Sequence, residues 1–367
     1  MKLYKIKRTD FFLIFVYFNI FCKGIGLAND SLFYKSLIII GIVALLYKVM
    51  GEGYTKKELL FMIIIIFIGG GTFLKTGKPT LFLTCMCIVG MKNIDIDKLF
   101  HSMLIIRGTT FVALVILALS GIIENQSIQM WRSGGMDTRY ALGFSHPNSL
   151  HLSLFILVNL YIYVRYKRIN ILDYLFLSAV NLFIYQYSLS RTGVVVVFLQ
   201  LIFLLISKIK INIIKSMMIK SCKYIFWFMF LTSFICAYLY GKSSFVTGLD
   251  VLFNGRLKFS NYYITNYGFT LLGNNIIGDA NALFDNGYLY LYIQFGLLGV
   301  ILISRLIFLA CKYTEKTNDL CKAIIINSYL IYIFTESFSP NIFMNNMLFF
   351  AIPVIYTIKN SKVIKYG

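Results

Sequence analysis

The segment Trp131 to His151, WRSGGMDTRYALGFSHPNSLH, is polar, carries two arginines and two histidines, and lies between two long apolar runs. Arginine offers a rigid fork of donors that matches phosphate oxygens, and a neighbouring helix N-terminus adds positive potential. In RYALGFSHPN, Pro147 suits the first turn of a helix, with Ser145 or His146 as its cap. Arg139, His146 and Asn148 therefore read as an anion site; the plainer alternative is an arginine on lipid headgroups beside a capping histidine. Arg191, in SLSRTG, sits between two apolar runs with almost no loop. A charge at the centre of the hydrocarbon costs about 2.5–3.5 kcal/mol on insertion scales and usually faces a cavity or a partner. Snorkelling to the interface is the competing explanation.

The loop 241–283 contains FNGRLKFSNYY, with Arg256, and is followed by DNGYLYLYIQFGLLG, with Asp285 and Asn286. Asp285 is placed to cap the next helix, or to accept a hydroxyl proton as a general base. The catalytic candidates are Asp285, His146 and Arg191; the binding candidates are Arg139, Arg191, Arg256, Asn286 and Asn148. Glu336, Asn341, Asn345 and Asn346, in a late turn, could add polar walls to the site, but helix-end solvation is the preferred reading. The chain shows no P-loop, no Rossmann fingerprint, no HExxH and no DxD-type metal pair in these loops, so neither metal nor cofactor is expected.

The elements that must position these residues are membrane helices. Of 367 residues, 59% are hydrophobic and only 14% charged, against about 25% charged in soluble domains. The formal charge of +20 fits an excess of Lys and Arg on cytoplasmic loops better than a nucleic-acid partner. The seven cysteines fall in or beside apolar runs, without disulfide or zinc spacing. The basic start MKLYKIKR leads into an apolar run with no small-residue cleavage site, and reads as an uncleaved first helix.

About twelve spans are expected, near 10–28, 32–49, 58–73, 78–91, 102–123, 147–164, 171–188, 192–207, 222–240, 284–304, 321–336 and 341–358, the short pair 58–73 and 78–91 being open to a partly re-entrant reading. Positive-inside counting places both termini in the cytoplasm, with Arg107 and Arg305 near inner helix ends, able to snorkel. The expectation is an all-α, multi-pass protein of the cell membrane, one domain over 1–367, with catalytic loops 124–146 and 241–283 on the outer face.

RYALGFSHPNSLH, then SLSRTG, NGRL, DNGYLYLYIQFGLLG and TESFSPNIFMNN, occur in an order that resembles the Wzy-type polysaccharide polymerases of Gram-positive capsule and exopolysaccharide loci. The resemblance covers residues 130 to 350; the first hundred residues match in hydropathy alone. The related O-antigen ligases carry a histidine-asparagine pair where this chain has Asp285-Asn286, which leaves the base open between Asp285 and His146. The resemblance implies a glycosyltransferase that polymerises undecaprenyl-diphosphate-linked oligosaccharide repeat units. The lipid diphosphate would leave, arginines would hold it, and no nucleotide sugar would enter. It further implies a lipid bilayer, a flippase and chain-length regulator proteins as partners, and no nucleic acid. The alternatives are ligase-type transfer of glycan to another acceptor, and a flippase or transporter of the lipid-linked oligosaccharide.

Overall fold

The computed structural model describes residues 7–27, 32–132, 135–209, 211–253, 255–276, 279 and 285–356. In chain order the elements are α1 (Arg8–Gly24), α2 (Leu32–Val49), α3 (Lys56–Thr76), α4 (Thr80–Gly90), α5 (Ile96–Leu119), β1 (Ser127–Arg132), β2 (Gly135–Tyr140), α6 (Pro147–Arg165), α7 (Ile171–Ser188), α8 (Arg191–Lys208), α9 (Asn212–Leu239), α10 (Ser244–Leu252), α11 (Arg256–Asn266), α12 (Gly287–Thr317), α13 (Leu320–Ile333) and α14 (Ile352–Ile355), the last preceded by a 3-10 turn, Asn346–Ala351. Among the described residues, six helices are long and apolar enough to cross a membrane: α3, α5, α6 with its 3-10 extension, α8, α9 and α12.

Local chemistry sets the helix ends. A capping box of Thr55 and Glu58 starts α3, and Gly77, in the left-handed region, stops it. Asn170 and Asp173 form the same box at α7. The outer faces of the bundle carry exposed Leu60, Ile63, Phe67, Ile116, Leu175, Phe228 and Ile301. Large apolar side chains over so much surface fit lipid as the solvent.

Three expectations change. The stretches 127–132 and 135–140 are not loop but antiparallel strands, β1 paired with β2, so among the described residues the fold is helical with one ribbon. The segment near 78–91 gives only the 11-residue α4, almost wholly buried; at 1.5 Å per residue it is about 16 Å long, short of the roughly 30 Å hydrocarbon core. Its partner α3 is a full 21-residue helix. The final segment, near 341–358, forms a buried 3-10 turn and one helical turn against α12 and α13 within the described residues.

Arg107 does not snorkel. It is fully buried in α5 and donates to the carbonyl of Phe343 at 2.7 Å and of Lys23 at 3.4 Å. The non-helical backbone near 343 has carbonyls to spare, and the guanidinium takes them up where no water reaches. Arg107→Ala strips those acceptors and opens a cavity, so a loss on the order of 3 kcal/mol is expected, read as a lowered melting temperature in detergent.

The contacts sort the helix termini into two ends. At one end Lys92 bridges α3 through Glu58 at 2.7 Å, Lys223 pairs with Glu315, and Lys208 donates to the carbonyl of Tyr166. The opposite end gathers the start of α6, the turn between α7 and α8, the starts of α11 and α12, and the hairpin.

Candidate functional site

At that second end a cavity of about 180 Å³ is lined by Ile128, Met130, Arg139, His146, Asn148, Ser190, Arg191, Thr192, Arg256 and Asp285. The arginines come from three separate segments of the chain. Six of the seven residues singled out from sequence line this one space; Asn286 does not.

The hairpin supplies one wall. Ile128 pairs with Arg139 and Met130 with Asp137; directly opposed residues in an antiparallel pair share a face, so Ile128, Met130 and Arg139 point together into the cavity. Arg139 is buried. Its Nε donates to the Ser188 carbonyl at 2.8 Å and its Nη2 to Asn148 Oδ1 at 2.5 Å. Asn148 therefore orients an arginine as well as lining the cavity.

His146 is the cap of α6. Its Nδ1 accepts from the Asn148 amide at 3.0 Å, and Pro147 takes the first helical position. With the Nδ1 lone pair occupied, a neutral ring carries its hydrogen on Nε2. Burial, then Arg139, lowers the His146 pKa, and Arg256 adds to this against Asp285; the ring is neutral at pH 7. In this state His146 can donate a hydrogen bond but cannot take up a proton through Nε2.

The turn between α7 and α8 is held from beneath. His151 Nδ1 lies 3.0 Å from Ser188 Oγ and its Nε2 2.9 Å from Asn181 Oδ1. Leu189 takes a left-handed conformation, which ends α7. Gly193 lets the imidazole approach: a Cβ there would stand 2.5 Å from His151 Cδ2. Arg191 occupies the first position of α8, exposed at the cavity wall, with no hydrogen-bond or ion-pair partner among the described residues. The neighbouring Ser190 Oγ is buried and also unpartnered.

Asp285 does not cap α12. Asn286 does, accepting from the amides of Tyr288 at 3.0 Å and Leu289 at 3.1 Å, while its amide nitrogen donates to Ser233 Oγ. The shift of one residue frees Asp285, whose Oδ2 accepts from Arg256 Nε at 3.2 Å. Its Oδ1 has no hydrogen-bond partner among the described residues. Arg256 Nη2 reaches Glu336 Oε1 at 3.4 Å, so one guanidinium serves two carboxylates.

Glu336, Asn345 and Asn346 are buried, not solvated at a helix end. Burial pushes the Glu336 carboxyl up to about 8, with Asp285 adding to the rise and Arg256 opposing it most. A carboxyl raised from 4.5 to about 8 on folding favours the native state most fully below pH 4.5, and that contribution is lost as pH rises through about 8. Wild-type melting temperature should therefore fall over that window, with the Glu336→Gln variant lacking this component of the slope. A thermal-shift series across pH checks it.

Among the described residues no group of three or more His, Cys, Asp or Glu comes together to hold a metal ion. The lining residues that sequence reasoning missed include Ser190 and Thr192, and it did not foresee the pairing of Glu336 with Arg256. Glu336 meets Arg256 across 80 positions, and no local pattern marks such a pairing. Comparison with protein-family models, curated proteins and solved structures returned no match for this chain.

Proposed function

We propose that this chain is a Wzy-type polysaccharide polymerase, joining undecaprenyl-diphosphate-linked repeat units at the outer face of the cell membrane. The observation that carries the reading is the convergence of Arg139, Arg191 and Arg256 on one cavity with Asp285. Three guanidinium groups match a diphosphate leaving group, whose charge grows as the glycosidic bond breaks. The basic connections at the opposite end fit a cytoplasmic location, which leaves the cavity outside.

In this scheme the acceptor hydroxyl of one unit attacks the anomeric carbon of the donor glycan. The bond from that carbon to the phosphate oxygen breaks, and undecaprenyl diphosphate leaves with the electron pair. The hydroxyl proton passes to Asp285 Oδ1, the acceptor left open at the cavity wall. His146, its Nδ1 committed to the Asn148 amide, donates from Nε2 to a phosphate or sugar oxygen instead. Arg139, locked by Ser188 and Asn148, forms a fixed edge of the anion site; Arg191 closes on the diphosphate from the other side.

Incubating purified protein with a defined lipid-linked repeat unit should give a ladder of polymers with release of undecaprenyl diphosphate. A single unchanged species would end the proposal, and transfer of finished glycan to a different acceptor would support the ligase reading. Arg191→Ala is the cleanest variant, because among the described residues no hydrogen bond or ion pair is lost. Polymer formation should drop about 10²-fold while the melting temperature stays unchanged; normal chain length would remove Arg191 from the site.

A transporter reading draws on one observation, the interruption of α12 at Gly296. Interrupted helices in transporters present ionisable groups or helix ends near the midplane. Here the break is filled by backbone: the Leu297 and Leu298 amides donate to the carbonyls of Thr270 and Leu271 at 3.0 Å, and the Asn274 amide donates to the Ile293 carbonyl at 2.9 Å. The candidate cations lie at helix starts instead, Arg191 on α8 and Arg256 on α11, which favours the enzyme.

A further inference from the structure

A second groove, of about 610 Å³, is lined by Thr55, Lys56, Lys57, Glu58, Phe61, Arg305, Leu309, Lys312, Val354 and Ile355. It lies at the other end of the molecule from the arginine cavity. Lys312 sits about 24 Å along α12 beyond the Gly296 break at 1.5 Å per residue, and the start of α3 is tied by Glu58 to Lys92 in the turn before α5.

Four cations face this groove from two helices. Lys56 and Lys57 open α3; Arg305 and Lys312 lie on the late turns of α12. All four are exposed, and the three lysines have no ion-pair or hydrogen-bond partner among the described residues. The single carboxylate in the lining, Glu58, is already neutralised: one of its oxygens accepts from Lys92 Nζ and from the Thr55 amide, each at 2.7 Å. The groove thus holds an uncompensated excess of positive charge.

Apart from Thr55, its remaining walls are apolar, from Phe61, Leu309, Val354 and Ile355. They run into the exposed faces of α3 at Leu60, Ile63, Ile64 and Phe67 and of α12 at Ile301 and Phe308. A soluble anion has no use for that continuation, whereas a lipid does. Its headgroup phosphate can take the cations, and its acyl chains can lie along the two helices.

We infer that the groove between the start of α3 and the late turns of α12 is a binding site for the headgroup of an acidic phospholipid. The match is one of charge and of amphipathic shape: basic side chains attract anionic headgroups at about 1 kcal/mol each near such a surface, and the apolar stems of Lys and Arg pack beneath them. This site is independent of the proposed reaction.

The test uses the full-length protein in nanodiscs containing phosphatidylcholine with or without phosphatidylglycerol, followed by native mass spectrometry of the lipids that remain bound. The wild type should retain phosphatidylglycerol over phosphatidylcholine. The combined variant Lys56→Gln, Lys57→Gln, Arg305→Gln and Lys312→Gln should retain it at least about tenfold less. The charge-keeping set Lys56→Arg, Lys57→Arg and Lys312→Arg should behave as wild type, which separates lost charge from lost fold. Neutralising Lys98 and Lys316, at the same end but outside the groove, should leave retention unchanged. Equal retention by the Gln variant, an equal loss on neutralising Lys98 and Lys316, or displacement of the lipid by inorganic phosphate alone would each overturn the assignment.

Discussion

Replacing Arg256 with alanine should abolish polymer formation, by at least about 10³-fold in turnover of a lipid-linked repeat unit, while the protein still inserts and purifies as a folded species. The expected loss exceeds that for Arg191 because Arg256 does two jobs. Its guanidinium lines the cavity, and it fixes Asp285 through Nε at 3.2 Å while Nη2 holds Glu336 at 3.4 Å. Removing it takes positive charge from the leaving group and releases the proposed base together. Folding is spared because Glu336 can answer by keeping its proton: burial already pushes its carboxyl up to about 8, and without Arg256 that tendency grows. Arg256→Lys keeps the charge but reaches one carboxylate at a time, so a partial recovery, on the order of tenfold below wild type, is expected. Recovery to the full wild-type rate would show that the shared fork has no role. If Arg256→Ala polymerised normally in the same assay, the anion-site reading would fail.

Much of this arrangement was legible in the chain because the chemistry and the helix boundaries coincide. Arg139, His146, Arg191 and Arg256 stand out as polar residues at the edges of apolar runs, and an apolar run has to stop where the membrane does. His146 with Pro147 reads correctly as a helix start. The hairpin was also written locally: SIQMWR and GMDTRY flank Ser133-Gly134 and pair residue for residue, yet polarity alone suggests a loop. The Asp285-Asn286 pair shows a finer limit. Either residue can cap a helix, and only the packing of Asn286 on Ser233 decides which one is free for chemistry. The pairing of Glu336 with Arg256 and the Gly296 break were out of reach, since the partners at 256 and at 270–274 are distant in sequence.

Gly296 carries the second large prediction. Its φ of 67° and ψ of −173° interrupt α12 within the apolar stretch, a conformation that belongs almost wholly to glycine. A Cβ at Gly296 would stand 2.4 Å from the Gly273 amide nitrogen and 2.5 Å from the Leu271 carbonyl. Neither is the end of a flexible side chain, so the backbone itself would have to move. Gly273 mirrors the constraint, with φ at 93° and a Cβ position 2.1 Å from the Gln294 carbonyl oxygen. Gly296→Ala should therefore expel the 270–274 loop and strand the amides of Leu297 and Leu298 and the Ile293 carbonyl. With strain of about 1–3 kcal/mol added to those lost hydrogen bonds, folded yield in detergent should collapse. Gly70→Ala in α3, where a Cβ meets nothing within 4 Å, should leave yield and melting temperature intact. The loop that fills the break also joins α11, which begins at Arg256, to the segment leading into Asp285 and α12. A molecule rescued by low temperature should thus show weakened polymerisation even where α12 itself survives. Wild-type rates in such a rescued variant would mean that the break serves folding alone and that Arg256 and Asp285 find each other without it.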